Sequence, residues 1–263
     1  MIEFRNVSKS FDDEVVLKDV SFRIGRGETK IILGESGSGK STILKLILGL
    51  IRPDSGRIFF DGRDITHVPE RDLVSIRRDI GMVFQEGALF DSLSVRENVG
   101  YRLFEEGQMD EDEIEVEIFQ LLGFVGLEDA IDKMPAELSG GMKRRVGIAR
   151  ALVGTPKVVL YDEPTAGLDP ITKRAIVELI IKLRDLEGVT SVFVTHDLPA
   201  ASIIATEYAS AQPDGSVELK AGGSSLCLLN ISFIMLQNGS ISFEGSYQEL
   251  MSSSLPYIKT FTA

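Results

Sequence analysis

The rhythm of apolar and polar positions changes along the chain, and the changes mark out its parts. Residues 1–62 read as short strands broken by turns: an alternating β-rich run at 15–24, a continuous apolar run Lys30-Ile31-Ile32-Leu33, a turn at Pro53-Asp54-Ser55-Gly56 and a strand at Arg57-Ile58-Phe59-Phe60. Between the apolar run and that turn, a glycine-rich stretch leads into Ser41-Thr42-Ile43-Leu44-Lys45-Leu46-Ile47-Leu48, which reads as a helix. The middle of the chain is different. Residues 110–117 are strongly acidic, while Ile114, Ile118, Leu121, Leu122 and Val125 fall at helical spacing, which predicts an amphipathic helix with a charged outer face. From Lys157 the strand pattern returns. Val158-Val159-Leu160-Tyr161 and Ser191-Val192-Phe193-Val194 are unbroken apolar runs, as expected of strands covered on both faces in a parallel sheet. A helix at 171–186 lies between them, and strand–helix–strand in that order implies right-handed βαβ units. The expected fold class is α/β, with a helical sub-domain in the middle of the chain.

Composition narrows the possibilities. The chain has 263 residues, 43% hydrophobic and 26% charged, which excludes disorder as its main state and fits one large domain or two modest ones. Asp and Glu number 40 against 28 Lys and Arg, a formal charge of -12. So acidic a chain is a poor non-specific nucleic-acid binder, because such binding runs on basic residues neutralising phosphate; no nucleic-acid partner is expected. Phosphate can still be held locally by backbone N–H groups. The single cysteine, Cys227, cannot form an intrachain disulfide, which fits a reducing compartment. The first residues lack a signal peptide's apolar core, and no apolar run reaches the roughly 18 residues of a membrane span. A role at a membrane would therefore need another chain to hold this one there.

The chemistry is concentrated in two stretches. Gly34-Glu35-Ser36-Gly37-Ser38-Gly39-Lys40-Ser41 fits G-x-x-x-x-G-K-[ST], with a strand before it and a helix after it. Glycines let the backbone curl so that successive N–H groups face phosphate oxygens. Lys40 reaches the β- and γ-phosphates, the Ser41 hydroxyl ligates Mg²⁺, and the helix dipole adds positive potential at its N-terminus. Val158-Val159-Leu160-Tyr161-Asp162-Glu163 then ends a buried strand in two carboxylates. Asp162 would bind Mg²⁺ through water, and Glu163 would orient or deprotonate the water that attacks the γ-phosphate.

Leu138-Ser139-Gly140-Gly141-Met142 resembles the signature of ATP-binding-cassette (ABC) ATPases, usually written LSGGQ. Further motifs similar to that family follow in order from Met1 to about Ala201. Phe11 matches the aromatic that stacks on adenine, and Gln85 the loop glutamine that links nucleotide, metal and membrane partner. Ala166-Gly167-Leu168-Asp169 resembles the family's D-loop, and His196 matches the switch histidine at the γ-phosphate. The resemblance implies a P-loop NTPase fold of the ABC type: one domain over 1–263, with a RecA-like core and a mixed or antiparallel β part from about 1–95 and 150–263, and a helical sub-domain over about 96–149. It implies ATP and Mg²⁺ as cofactors. Glu163, His196, Gln85 and Lys40 would be catalytic. Phe11, Gly34 to Thr42, Ser139, Gly140, Gly141 and Asp169 would bind nucleotide, and Ser41, Gln85 and Asp162 would serve the metal. It also implies a head-to-tail homodimer in which Ser139-Gly140-Gly141 of one copy closes over the P-loop of the other, with ATP as glue. Arg144 and Arg145, just after the signature, read as a solvated helix face, with a phosphate contact as the alternative. His67, outside every motif, reads as structural.

Gln85-Glu86-Gly87-Ala88-Leu89-Phe90-Asp91-Ser92-Leu93-Ser94-Val95 and the Met142-Lys143-Arg144-Arg145-Val146 continuation are similar to the ATPases of Mla/Mce-type lipid transport. By that resemblance the partners would be a multi-span permease, a periplasmic MCE-domain lipid-binding protein and a small accessory subunit, and the chain would sit at the cytoplasmic face of the inner membrane with phospholipid as cargo. An importer of another solute such as an amino acid, or a lipoprotein release system, is the alternative. Residues 208–230 depart from the family pattern: they are rich in Ser, Gly and Ala, with a turn at Pro213-Asp214-Gly215 leading to Val217-Glu218-Leu219. A surface loop and a partner contact are both open readings there.

Overall fold

The computed structural model describes residues 1–12, 14–222 and 230–262, so Cys227 lies outside the described residues. In chain order the elements are β1 (Ile2–Phe11), β2 (Glu14–Ile24), β3 (Thr29–Leu33), α1 (Lys40–Ile47), β4 (Ser55–Phe60), β5 (Arg63–Asp64), α2 (Glu70–Arg77), β6 (Ile80–Val83), α3 (Val95–Glu106), α4 (Glu111–Val125), α5 (Gly140–Leu152), β7 (Val158–Asp162), α6 (Pro170–Leu186), β8 (Thr190–Thr195), α7 (Leu198–Thr206), β9 (Glu207–Ala211), β10 (Val217–Ala221), β11 (Ile231–Gln237), β12 (Ser240–Gly245), α8 (Tyr247–Met251) and α9 (Pro256–Thr262).

A six-stranded sheet in the order β12-β11-β3-β8-β7-β6 forms the centre. It is parallel from β11 to β6, and β12 closes one edge antiparallel to β11. The period of two along a strand decides the layers. Ile31, Leu33, Tyr161, Phe193 and Phe233 point into one core with the helices α3 to α7. Ile32, Leu160, Val192, Val194 and Ile234 point into another, with α1 and a second sheet. That sheet is antiparallel, ordered β2-β1-β4-β5, and packs Phe4 and Phe22 as stacked rings 4.6 Å apart. Covered on both faces, β3, β7 and β8 bury successive apolar residues on opposite sides, which is why their apolar runs carry no alternation.

The helices of the middle segment form one packed group. Ile114, Ile118, Leu122 and Val125 of α4 are buried while its acidic residues face out. Ser94 and Glu97 form a capping box that starts α3, and Gly107 ends it in the left-handed conformation. The departing segment begins as a hairpin, with β9 and β10 antiparallel and Gln212 to Ser216 forming the turn. Arg174 of α6 grips Glu207, the first residue of β9, with two hydrogen bonds of 2.7 and 2.6 Å. No described helix is long and apolar enough to cross a membrane.

Candidate functional site: a phosphate loop facing a carboxylate cluster

β3 delivers the chain to the C-terminal edge of the parallel sheet, and the glycine-rich loop turns it into α1. Gly39 holds φ +101°, and a Cβ there would sit 2.7 Å from Leu17 and 3.0 Å from the Val16 carbonyl. Glycine therefore meets two needs at once, a left-handed backbone and a loop pressed onto β2. No side chain caps α1 and its first turn contains no acidic residue, so its leading N–H groups remain available to an anion. Ser38 Oγ is buried without a hydrogen-bond partner in the same cradle. Lys40 is 6% exposed; its ammonium donates to the carbonyls of Gly34 at 2.8 Å and Glu35 at 2.9 Å. The loop is thus a concave set of donors held around one cation, a fit for phosphate.

The carboxylates arrive from β7, the neighbour of β8 in the same sheet. Ser41 Oγ donates to Asp162 Oδ1 at 2.9 Å. Burial pushes the Asp162 carboxyl above its usual range; the Ser41 hydrogen bond opposes this and the neighbouring Glu163 charge adds to it. A divalent cation would relieve that cost. Two hard oxygens and room for phosphate and water oxygens suit Mg²⁺, which keeps much of its hydration. Among the described residues no group of His, Cys, Asp and Glu forms an all-protein metal cage, so substrate oxygens would have to complete the shell.

Glu163 carries φ +47°, an uncommon conformation for a residue with a Cβ. The surroundings hold it there. Its N–H donates to the Val194 carbonyl at 3.0 Å, and its own carbonyl accepts from Ala166 at 3.1 Å. Its carboxylate accepts from Thr195 Oγ1 at 2.9 Å and from the His196 N–H at 3.3 Å, faces His196 Nδ1 at 2.9 Å, and lies 3.5 Å from Lys40 Nζ. A carboxylate only accepts, so Nδ1 carries the proton in this contact and Nε2 of a neutral ring is an acceptor. Lys40, Ser41, Asp162, Glu163 and His196, which the motifs select separately, form one connected cluster.

The other motif residues stand elsewhere. Glu35, Ser36 and Gly37 form the exposed rim of the loop, and Thr42 is half-buried in the first turn of α1. Phe11 is 43% exposed at the end of β1, paired in register with Glu14 and with Lys9 Nζ 5.3 Å from its ring centre. Glu14 lines a cleft of about 510 Å³ together with Val16, the loop residues 35–38, the Asn238–Gly239 turn and Tyr257. Gln85 is exposed, and its backbone carbonyl rather than its side chain is engaged. Ser139 accepts from the Met142 N–H at 3.3 Å and so caps α5; Gly140 is exposed beside it and Gly141 buried. Asp169 likewise caps α6 through Ile171 and Thr172. These two oxygens serve their own helix ends in the single chain.

Two residues after the signature correct the sequence reading. Arg144 is 7% exposed and binds neither solvent nor the phosphate loop: it donates to the carbonyls of Gln85, at 2.6 Å, and Ala166. Arg145 donates to the carbonyls of Val125 at 2.9 Å and Gly126 at 3.2 Å, closing the end of α4. Residues far apart in sequence come together at both places, which no local pattern reveals. Thr195, which bonds Glu163, and Tyr257, which lines the cleft, belong to no motif. Thr195 precedes a motif histidine; Tyr257 has no signal at all.

A family described as "ABC transporter" matches residues 17–166. The chain is 48% identical over 187 residues to protein TRIGALACTOSYLDIACYLGLYCEROL 3, chloroplastic, of Arabidopsis thaliana, covering 68% of this chain and 54% of that one. It is 40% identical over 205 residues to the intermembrane phospholipid transport system ATP-binding protein MlaF of Escherichia coli K12 (78% and 76% covered). It is also 40% identical over 222 residues to the methionine import ATP-binding protein MetN 1 of Staphylococcus aureus N315 (83% and 65%). The chain thus spans little more than half the length of the Arabidopsis relative. Among solved structures, the dimeric post-hydrolysis state of the ATP-binding cassette MJ0796 bound to ADP and Pi superposes with a TM-score of 0.78 at 33% identity, over 94% of this chain and 98% of that one.

Proposed function

We propose, for a chain that belongs to the ABC transporter ATP-binding family, that it hydrolyses ATP as a two-fold dimer and drives a membrane permease. The observation that carries this reading is the cluster in which Lys40, Ser41, Asp162, Glu163 and His196 meet at the uncapped start of α1. Lys40 and the loop N–H groups would compensate the β- and γ-phosphates. Ser41 and Asp162 would hold Mg²⁺, which when bound neutralises phosphate charge. Glu163, aimed by Thr195 and His196, would align the attacking water and take its proton. Catalysis here is positioning plus charge stabilisation, since phosphoryl transfer leaves the protein little covalent work.

The single chain presents Ser139 and Asp169 on exposed helix starts, where a second copy can reach them. The dimeric form of the solved cassette supports the pairing. Gln85 and Phe11 would complete the site once nucleotide and partner are present. The apolar, exposed Phe90 beside Tyr101 supports docking of a multi-span permease at the cytoplasmic face of the inner membrane.

Phospholipid is the cargo we favour, on the likeness to the Mla-type relative and the Gln85–Val95 stretch. A periplasmic MCE-domain protein and a small accessory subunit would then belong to the assembly. The methionine-import relative keeps amino-acid import as the second reading. Proteoliposomes holding this chain and the permease that co-purifies with it test both. ATP-dependent movement of a fluorescent phospholipid supports the first reading; transport of methionine without lipid movement overturns it.

A further inference from the structure

We propose that Arg144 is a positioning residue that holds the Gln85 loop and the turn carrying Glu163 in fixed register with the signature helix α5. The inference deepens the ATPase reading and rests on it for its kinetic consequences.

The donors of one side chain reach two separate segments. The guanidinium is a rigid planar fork with Nε and Nη2 on one edge. In Arg144 those two atoms donate to carbonyls from two different segments, Nε to Gln85 at 2.6 Å and Nη2 to Ala166. Both bonds persist only while the two carbonyls lie side by side at the spacing of the fork. Separation of the segments would break one bond and leave a donor of the buried guanidinium unpaired, a costly outcome. Arg144 is 7% exposed, and burial lowers the pKa of its guanidinium against the opposing charge of Glu86.

Each segment is tied to something that matters. The Ala166 N–H closes the turn onto the Glu163 carbonyl at 3.1 Å, so restraining Ala166 restrains the turn that holds Glu163 at φ +47°. Thr165, in the same turn, donates to Asp197, the N-cap of α7 beside His196. On the other side, the loop after β6 lies flat on α5. Gly87 has φ +78°, and a Cβ there would stand 2.7 Å from the Lys143 carbonyl; one added to Gly147 would stand 3.1 Å from Gly87 Cα. Arg150 completes the grip, donating to Gly87 at 2.8 Å and Ala88 at 2.9 Å. Arg144, Gly147 and Arg150 recur at a helical spacing, so one face of α5 holds the loop. Arg144 alone of the three also reaches the Glu163 turn. A movement of Gln85 on nucleotide or permease binding would pass through it to both Glu163 and the helix capped by Ser139.

The test uses the whole chain, with wild type, Arg144→Lys and Arg144→Met compared. Lysine keeps the charge but replaces the planar two-nitrogen fork with a single nitrogen, which cannot hold two carbonyls at the fork's spacing. Backbone amide exchange without nucleotide reports directly on residues 84–90 and 163–168. Both variants should exchange faster in both segments, while exchange in the phosphate loop and β3 matches wild type. In ATPase assays kcat should fall on the order of ten- to a hundred-fold, the scale of misplaced groups, with KM for ATP within about twofold. Unchanged exchange in both segments overturns the proposal, as does full activity in Arg144→Lys. So does a change confined to KM. If Arg144→Met does not fold, Arg144→Lys decides alone. A wild type without ATPase activity would sink the proposed function, yet amide exchange would still rule on Arg144.

Discussion

Glu163 and His196 meet carboxylate to ring: Oε1 lies 2.9 Å from Nδ1, while the other carboxylate oxygen accepts from Thr195 and from the His196 backbone. These contacts hold the Glu163 carboxylate with Oε1 3.5 Å from Lys40 Nζ. Replacing Glu163 by Gln keeps the shape and removes the proton acceptor. We expect Glu163→Gln to bind ATP and to lose hydrolysis by roughly 10²–10⁴-fold, the usual worth of general-base catalysis. Size-exclusion chromatography with ATP and Mg²⁺ should show a dimer. A monomer under those conditions counts against the sandwich.

Lys40 is buried and bound only through its ammonium to loop carbonyls and, at longer range, Glu163. Lys40→Ala leaves phosphate charge uncompensated. Its ATPase rate should drop by ~10²–10³, as when one preorganised stabiliser is removed. Turnover near wild type would show that the phosphate lies elsewhere.

Asp162 yields a prediction of opposite sign for stability and activity. Burial raises its carboxyl above the unfolded value, so the folded chain binds this proton more tightly. The associated stability is present at acid pH and is lost as pH rises through the raised value. At neutral pH the ionised group costs stability. Asp162→Asn keeps an acceptor for Ser41 and discards the charge. Differential scanning calorimetry without nucleotide should therefore give a higher Tm at pH 7, and a smaller gain below pH 4. Mg²⁺-dependent hydrolysis should disappear. A lower Tm at pH 7 would contradict the assignment of burial as the cause.

Phe90 is 44% exposed, against Tyr101 at 4.7 Å and with Arg150 at 5.8 Å from its ring centre. Removing a core aromatic costs about 3–5 kcal/mol. A half-exposed ring should cost much less, so Phe90→Ala should melt within a few degrees of wild type and keep basal ATPase. Co-purification with the permease should weaken. A sharp fall in Tm with an intact complex would reassign Phe90 to the core.

The site was legible in part because phosphate chemistry is local in sequence. The curl of a glycine loop, the lysine behind it and the hydroxyl that follows lie on consecutive residues, and the two carboxylates end one apolar strand. What the motifs could not display is how separate segments share donors. Ser41 meets Asp162 only because β3 and β7 flank β8 in the same sheet. Ser139 and Asp169, which the motifs assign to nucleotide, cap their own helices in the single chain.

Local pattern along the chain is enough to locate the strands buried on both faces, the amphipathic acidic helix, the anion loop and the family. Each depends on period, spacing or backbone conformation within a short window. The tertiary structure decided which carbonyls Arg144 and Arg145 satisfy, what lines the cleft above the loop, and how Thr195 and His196 aim Glu163. Those outcomes depend on distances between segments remote in the chain. They follow from the rule that buried donors and acceptors must find partners wherever the fold brings them.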